Sequence, residues 1–113
     1  MPAAKPAIDA GSILQALGDP TRRRLVDALK RGPLSVSALA EPFEMSLTAI
    51  VQHLRVLEDC GLVTTQKIGR VRTCQLRTAG LDALAKWIDQ QRPEWHRRVD
   101  RLADLLEGKS SES

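Results

Sequence analysis

The segment 46–59 constrains the fold most, because it combines a helix start signal with a sustained helical pattern. Ser46 is a favoured N-cap residue and stands directly before the patterned residues. Ile50, Leu54 and Leu57 follow at intervals of four and three, which places them on one face of an α-helix. The segment therefore predicts an amphipathic helix that docks on a core through these three side chains.

A tight β-hairpin is predicted directly after this helix. Gly61 can take the left-handed conformation that commonly ends a helix. Two strand-like runs, about 62–68 and 71–76, then flank Gly69-Arg70, a two-residue turn most naturally of type II′ with glycine first. A capped helix that leads at once into such a hairpin is typical of a winged helix.

Three shorter helices are predicted before residue 46. The first carries apolar residues and ends at a glycine: Ile13, Leu14, Leu17 and Gly18. The second begins at Pro20, behind Asp19 as its N-cap, and runs to residue 30 or 31. The third begins after Ser35 and either ends near Glu41 or is distorted there, because Pro42 disfavours helical geometry at the residue before it.

Two further helices are predicted after the hairpin. Thr78 is expected to cap a fifth helix, and Pro93 to begin a sixth. The sixth carries large apolar residues at intervals of four, three and four, here termed the C-terminal seam: Trp95, Val99, Leu102 and Leu106. This is coiled-coil spacing, and a monomer would leave such a surface exposed. The alternative is that the helix packs on its own domain.

The predicted fold is mainly α with a β-hairpin wing, a dimeric winged helix-turn-helix in the order α-α-α-α-β-β-α-α. A chain of 113 residues supports one domain, assigned to residues 11–107, with flexible tails at 1–10 and 108–113. No apolar run approaches the roughly 20 residues of a membrane span. Two cysteines are too few for a disulfide scaffold. These features favour a cytoplasmic protein.

The basic residues are unevenly distributed along a chain of formal net charge +3. Residues 61–77 contain no acidic residue and four basic ones: Lys67, Arg70, Arg72 and Arg77. The first three stand at or beside the hairpin tip, where they can contact the backbone or minor groove of double-stranded DNA. Alternatively, these charges protect an exposed edge strand from pairing.

The predicted fourth helix also offers a face that fits the major groove. Its candidate DNA contacts are Ser46, Thr48, Ala49, Gln52 and His53, with Arg55 placed for phosphate. Gln52 can pair with an adenine edge, and Thr48 can contact a base or a thymine methyl group. No acidic residue precedes Glu58 in this helix. This polarity alone also fits an ordinary amphipathic helix, but the helix before it and the wing after it favour DNA binding.

Three consecutive arginines begin the second helix, where the helix dipole disfavours cations. A DNA phosphate bound by Arg22 would relieve that conflict. Solvated side chains, or an ion pair with a carboxylate, are the alternatives.

Three runs resemble the ArsR/SmtB-type transcriptional repressors: Leu17-Gly18-Asp19-Pro20-Thr21-Arg22, Met45-Ser46-Leu47-Thr48-Ala49-Ile50-Val51-Gln52-His53-Leu54-Arg55-Val56-Leu57-Glu58 and Gly61-Leu62-Val63. The resemblance implies a homodimer that binds an inverted repeat and usually blocks a promoter, often its own. It also implies dimerisation through the first and last helices. The interface residues expected on this basis are Ile13, Leu14, Leu17, Trp95, Val99, Leu102 and Leu106.

The metal sites known in this family are not expected in this chain. Metal-sensing members place two cysteines in a Glu-Leu-Cys-Val-Cys pattern, and the matching positions are Ser35 and Ser37. Serine is a poor ligand for soft metals. The family's other site uses Asp and His on the fifth helix, but Asp82 has no histidine at usable spacing and His96 lies beyond Pro93. No metal or other cofactor is predicted, so the chain resembles the branch without those cysteines and carries no visible effector site.

Other functions fit the sequence less well. Cys60 and Cys74 leave open a thiol-based redox switch in the same repressor, although an intrachain disulfide looks too long if Cys74 pairs with Thr65. A protein-interaction winged helix without DNA binding would favour acidic residues in the wing or on the reading face. Two histidines, with no glycine-rich phosphate loop and no recognisable Ser/His/Asp set, argue against an enzyme.

Overall fold

Eight elements make up the computed structural model, which describes residues 8–108. In chain order they are α1 (Ala10–Leu17), α2 (Pro20–Leu29), β1 (Leu34–Ser35), α3 (Val36–Ala40), α4 (Leu47–Asp59), β2 (Val63–Ile68), β3 (Val71–Leu76) and α5 (Thr78–Glu107). The predicted fold class, mainly helical with an antiparallel hairpin wing, is confirmed.

Side-chain caps begin the helices α1 to α4. The carboxylates of Asp9 and Asp19 and the hydroxyls of Ser35 and Ser46 each accept a hydrogen bond from the backbone N–H three residues later. Such a cap satisfies one of the donors left unpaired at a helix start. The predicted caps at residues 19, 35 and 46 are confirmed.

α5 begins without the predicted cap. Thr78 is its first residue, and Arg77 holds the N-cap position with no side-chain hydrogen bond. Arg77 is extended, with φ −104° and ψ 111°, and its N–H donates to the carbonyl of Leu62 at 2.8 Å. Backbone pairing therefore continues past the hairpin to Arg77, and this pairing, rather than a hydroxyl cap, determines where α5 begins.

Pro93 does not divide the C-terminal region, so the predicted fifth and sixth helices are one helix of 30 residues. Proline removes a backbone donor, here the partner of the Asp89 carbonyl. Residues 85–102 are all exposed, so water can bond to that carbonyl. The prediction of a break was wrong because Ile88 and Trp95, about two helical turns apart, continue one apolar face across the proline.

The hairpin carries a third, short strand. β3 pairs antiparallel with β2 and, on its other edge, with β1. Gly69 has a φ of +63°, and among the described residues positive φ occurs only at glycines, which agrees with the predicted type II′ turn. β1 escaped prediction because two residues, Leu34 and Ser35, are too few to establish a strand pattern.

An aliphatic core joins the helices to the base of the hairpin. Its fully buried side chains are Ile13, Leu25, Leu29, Leu39, Ile50, Leu57, Leu62, Val63 and Cys74. Ile13, predicted at a dimer interface, is 0% exposed within its own chain. That prediction was wrong because α1 packs this side chain against the helices of its own domain.

Residues at both borders of the predicted domain take part in the described structure. Residues 8–10, assigned to a flexible tail, contain Ile8, which packs against the core, and the first residue of α1. At the other end, Gly108 caps α5 with a φ of +71°. The rest of the two predicted tails, 1–7 and 109–113, lies outside the described residues.

The backbone of α5 at Gly80 lies directly against the backbone of the turn that follows α4. A Cβ on Gly80 would overlap the carbonyl oxygen of Gly61 and lie 3.1 Å from the Cα of Leu62. Gly61 itself has a φ of +90°, the left-handed conformation predicted at this helix end. Glycine at position 80 therefore allows α5 to pack on the turn that connects α4 to the hairpin.

Gly80→Ala is expected to lower the free energy of unfolding by about 1–3 kcal/mol, because the added methyl meets backbone atoms that cannot rotate aside. Chemical denaturation at one fixed protein concentration measures the change. Ala79→Ser, at the neighbouring exposed position, is the matched control and should change stability by less than about 0.5 kcal/mol. Equal effects of the two substitutions would contradict the close approach.

Candidate nucleic-acid interface

α3 and α4 form a helix-turn-helix pair. α4 docks on the core through Ile50, Leu54 and Leu57, none more than 3% exposed, so its predicted core face is confirmed. Phe43, in the turn between the helices, is buried, and the Arg24 guanidinium lies 4.2 Å from its ring centroid. These contacts fix α4 on the domain and leave its opposite face to solvent.

The outer face of α4 carries most of the predicted DNA contacts. Ser46, Thr48, Gln52 and Arg55 are exposed, and Ala49 is half-buried. The hydroxyl of Ser46 accepts a hydrogen bond from the Ala49 N–H at 3.1 Å, so it acts first as the helix cap. Thr48 and Gln52 are four residues apart and therefore share a face. Their hydroxyl and amide are groups that hydrogen-bond base edges in the major groove.

Leu47 is an apolar contributor to this surface that sequence analysis missed. It lies three residues before Ile50, in the phase of the core face, so the helical pattern places it inside. Leu47 is instead 54% exposed, within an exposed stretch, residues 44–48, that leads into α4. An exposed leucine beside Thr48 can contact a thymine methyl group. The signal that could have found it is its position at the helix start, where the core no longer covers the helix.

The hairpin of β2 and β3 presents two basic residues on the face that packs on the domain. Lys67 and Arg72 stand directly opposite each other in the ladder. Because side chains alternate along a strand, this pair shares its face with Thr65 and the buried Cys74. Like charges directly opposite destabilise a hairpin, and an anionic partner such as a DNA phosphate would offset that repulsion.

A hydrogen bond joins this face of the hairpin to α4. Thr65 Oγ1 donates to Glu58 Oε2 at 2.8 Å. Arg55, Glu58 and Arg72 line one cleft between the two elements. The outer face of α4 and the basic face of the hairpin are therefore held in one arrangement, as joint contact with a duplex requires.

The hairpin tip is exposed on both faces. Arg70 follows Gly69 in the turn and is exposed. Ile68 and Val71, paired on the face away from Lys67, are 63% and 50% exposed. An arginine at such a narrow tip can reach the DNA backbone or enter the minor groove.

Arg22 and His53, both predicted to contact DNA, instead pair with each other between α2 and α4. Nη1 of Arg22 lies 3.2 Å from Nδ1 of His53, and both residues are half-buried. Nε of Arg22 also donates to the carbonyl of Ala16 at 2.6 Å. The geometry thus gives these two side chains partners within the chain rather than on the outer face of α4.

The arginines that begin α2 find partners without a phosphate. Arg22 and Arg23 each donate to a carbonyl at the end of α1, those of Ala16 and Leu17, both at 2.6 Å. Carbonyls at a helix C-terminus lack intrahelical partners and form the negative end of the dipole. Arg24 lies over an aromatic ring. The negative end of α1 therefore offsets the conflict between these cations and the dipole of α2.

Asp19 links the same helices through its carboxylate. Its Oδ2 accepts a hydrogen bond from the backbone N–H of Arg22 at 3.0 Å and lies 3.9 Å from Nδ1 of His53. The hydrogen bond from Arg22 lowers the pKa of Asp19 below its ordinary value of 3.8, against a smaller opposing effect of desolvation. The cap is therefore a carboxylate near neutral pH.

Asp19→Asn is expected to weaken the loss of stability at acidic pH. The folded-state pKa of Asp19 is depressed, so its contribution is present above the unfolded-state pKa, about 4, and is lost as pH falls through the folded value. Asparagine keeps a good N-cap but does not titrate. Denaturant midpoints measured from about pH 2.5 to 6 should vary less in the variant. Asp27→Asn, in the same helix, controls for loss of a carboxylate, and parallel profiles for wild type and Asp19→Asn would contradict the assignment.

Both cysteines are buried thiols. Cys60 ends α4, where its Sγ donates to the carbonyl of Leu57 at 3.3 Å, and Cys74 is 0% exposed. Burial raises the pKa of each thiol, and the nearby charge of Glu58 adds to the effect at Cys74. The predicted pairing of Cys74 with Thr65 is confirmed. Reactive cysteines combine exposure with a lowered pKa, so this geometry favours structural roles for both.

The other predicted interface residues divide into two groups. Leu17 is half-buried and packs against the core of its own chain. The remaining residues are exposed: Leu14 at 43%, Trp95 at 64%, Val99 at 44%, Leu102 at 56% and Leu106 at 78%. The C-terminal seam is therefore an uncovered apolar surface within the single chain.

The described residues form neither a metal-ligand group nor a membrane-spanning helix. Within residues 8–108, no three His, Cys, Asp or Glu side chains form a group placed to hold a metal ion. Ser35 caps α3 and pairs with Thr73 in the sheet. No helix in the same range, α5 included, is long and apolar enough to cross a bilayer.

A helix-turn-helix with a basic hairpin beside it defines a winged-helix DNA-binding protein, and known proteins identify its family. Residues 19–65 match the family described as "Bacterial regulatory protein, arsR family". The HTH-type transcriptional regulator Rv2034 of Mycobacterium tuberculosis is 37% identical over 99 residues, which are 88% of this chain and 90% of the relative. The transcriptional repressor SdpR of Bacillus subtilis is 30% identical over 77 residues, 68% of this chain and 86% of the relative.

A solved structure supports the same assignment. The crystal structure of an ArsR family transcriptional regulator matches with a TM-score of 0.72 and 44% identity, over 76% of this chain and 89% of that chain. The chain belongs to the ArsR family of DNA-binding transcriptional regulators. The family resemblance is confirmed at that level, as is the prediction that the protein is a regulator rather than an enzyme.

Proposed function

We propose that the protein is a homodimeric repressor that binds an inverted-repeat operator, including one upstream of its own gene. The observation that carries this proposal is the exposure of α5. From residue 85 to residue 108, only Ala103 is not exposed. The Cα radius of gyration is 20.0 Å, against about 13 Å for a compact domain of this length. Helices in proteins are stabilised chiefly by the packing of an apolar face. The exposed part of α5, residues 85–107, is therefore expected to pack against a partner.

A second copy of the chain fits this surface best. The C-terminal seam repeats at intervals of four, three and four, the spacing with which paired helices interdigitate. Trp87 and Ile88, also exposed, extend the apolar surface towards the domain. In a two-fold dimer the C-terminal seam of one protomer packs on the same seam of the other, so no other complementary surface is required.

Two-fold symmetry also supplies the geometry for an inverted repeat. Two copies of α4 would enter successive major grooves, about 34–36 Å apart. Thr48 and Gln52 would then contact base edges. Lys67 and Arg72 would bind phosphates, and Arg70 would contact the flanking backbone or minor groove. Bound across a promoter, the dimer would exclude RNA polymerase, and such a repressor acts in the cytoplasm.

Binding to the DNA upstream of the protein's own gene tests this function. In the proposed complex, Lys67, Arg70 and Arg72 of each wing would make six phosphate contacts in a dimer, and Arg55 of each α4 would add to them. The logarithm of the association constant should therefore fall with the logarithm of salt concentration with a slope of about −5 or steeper. A flat salt response, or affinity no greater than for an unrelated fragment of equal length, would contradict the proposal.

A further inference from the structure

We propose that Arg22 is a positioning residue, which orients α4 through His53 and thereby sets sequence discrimination without touching DNA. The proposal rests on DNA reading by α4, as put forward above. It assigns Arg22 and His53 a role different from the direct DNA contact that their positions in the sequence indicate. The role follows from the connections that one guanidinium makes among three helices.

Arg22 joins α1, α2 and α4. Its backbone N–H donates to the cap carboxylate of Asp19 at 3.0 Å, which anchors the residue in the first turn of α2. Its Nε donates to the carbonyl of Ala16 at the end of α1, at 2.6 Å. Its Nη1 reaches Nδ1 of His53 on α4, at 3.2 Å. A side chain held at both ends of its guanidinium has little freedom to turn outward towards a phosphate.

The chemistry of the contact determines the proton on His53. A guanidinium has donors and no acceptor, so Nδ1 of His53 must accept the hydrogen bond from Arg22. The imidazole therefore carries its proton on Nε2. The carboxylate of Asp19 lies 3.9 Å from the same nitrogen, too far to take a hydrogen bond from it.

This contact acts on the part of α4 that reads DNA. His53 directly follows Gln52, so the bond to Arg22 restrains the rotation of α4 where the amide meets the groove. Base contacts tolerate displacements of only about 0.5 Å. Phosphate contacts to a flexible lysine or arginine are less demanding. Loss of the restraint should therefore weaken binding to the operator more than binding to non-specific DNA.

Arg22→Met and His53→Leu remove the donor and the acceptor, respectively. Each should reduce the ratio of operator to non-specific affinity by about tenfold to a hundredfold, the range for a hydrogen bond to a charged group. Neither should change the salt slope, because no phosphate contact is lost. His53→Asn should retain most of the discrimination, since Oδ1 of asparagine lies as many bonds from Cα as Nδ1 of histidine. Arg31→Met, an exposed arginine beyond the end of α2, controls for loss of one positive charge.

Two results in these titrations would overturn the proposal. If Arg22→Met lowers the salt slope by about one for each protomer and leaves the affinity ratio unchanged, Arg22 binds phosphate. If His53→Asn is as impaired as His53→Leu, the acceptor at Nδ1 is not what matters. Circular dichroism and the unfolding midpoint of each variant establish that it is folded at the temperature of the titration.

The tautomer of His53 provides a test that needs neither a variant nor DNA. In nitrogen-15 spectra of the neutral imidazole of the free wild-type protein, the proton should reside on Nε2, with Nδ1 as the acceptor. A proton on Nδ1 would overturn the proposal. This measurement remains decisive even if the protein binds no inverted repeat, so failure of the operator proposal can be distinguished from failure of the Arg22–His53 contact.

Discussion

Leu102→Glu is expected to convert the dimer to monomers and to weaken operator binding by at least about a hundredfold. Leu102 is 56% exposed in the single chain, so the substitution leaves the core of the domain intact. In a two-fold dimer it places two carboxylates within the apolar C-terminal seam. Like charges across an interface cost several kcal/mol, and each 1.4 kcal/mol is about a tenfold change. Sedimentation and DNA titration on the same sample measure both effects.

Gln90→Glu is the charge-matched control for this substitution. Gln90 lies roughly two and a half helical turns before Val99, hence on the opposite face of α5, and is exposed. The substitution Gln90→Glu adds one negative charge to the same helix and should leave the dimer and operator binding unchanged. A dimer that survives Leu102→Glu would show that the C-terminal seam does not form the interface.

Gln52→Ala is expected to reduce discrimination between the operator and a site with one altered base pair by about tenfold to a hundredfold. A bidentate contact between a side-chain amide and adenine is worth about 1–3 kcal/mol of discrimination. Arg70→Ala should instead weaken both sites alike and reduce the salt slope by about one for each protomer. Titrations of both DNAs at several salt concentrations separate the two effects.

Gln66→Ala provides the matched control for the glutamine. Gln66 is exposed on β2, on the face opposite to Lys67, and is not expected to contact DNA. Its removal should alter neither the discrimination nor the salt slope. If Gln52→Ala lowers the affinity for every DNA equally while Arg70→Ala changes discrimination, the roles assigned to α4 and the hairpin tip are reversed.

The parts of the fold that depend on local pattern were predictable from the sequence. α4 follows from a cap at Ser46 and apolar residues at helical spacing, and the hairpin follows from Gly69 between two short runs. A cap or a tight turn is determined by a few residues that are neighbours in the sequence. The outer face of α4 could be predicted as well, because the apolar pattern identifies the buried face and the opposite face must then be exposed.

Contacts between distant segments account for the failures. The start of α5 is determined by the bond from Arg77 to Leu62, which no cap rule detects. Apolar spacing put Ile13 on a buried face but could not say whether its own core or a second copy covers it. The inward orientation of Arg22 depends on a carbonyl six residues earlier and on an imidazole 31 residues later. Its position at a helix start, where the dipole disfavours cations, indicated a phosphate ligand instead.

The spacing of the two half-sites tests whether the protein reads DNA as a two-fold dimer. The protein can select its own operator from random double-stranded DNA, and the two half-sites of that operator can then be separated by five additional base pairs. Two protomers should bind the selected operator and protect two major grooves one helical turn apart, and the half-turn insertion should abolish nearly all specific binding. Binding by one protomer, or affinity unchanged by the insertion, would contradict a two-fold dimer that reads DNA through α4.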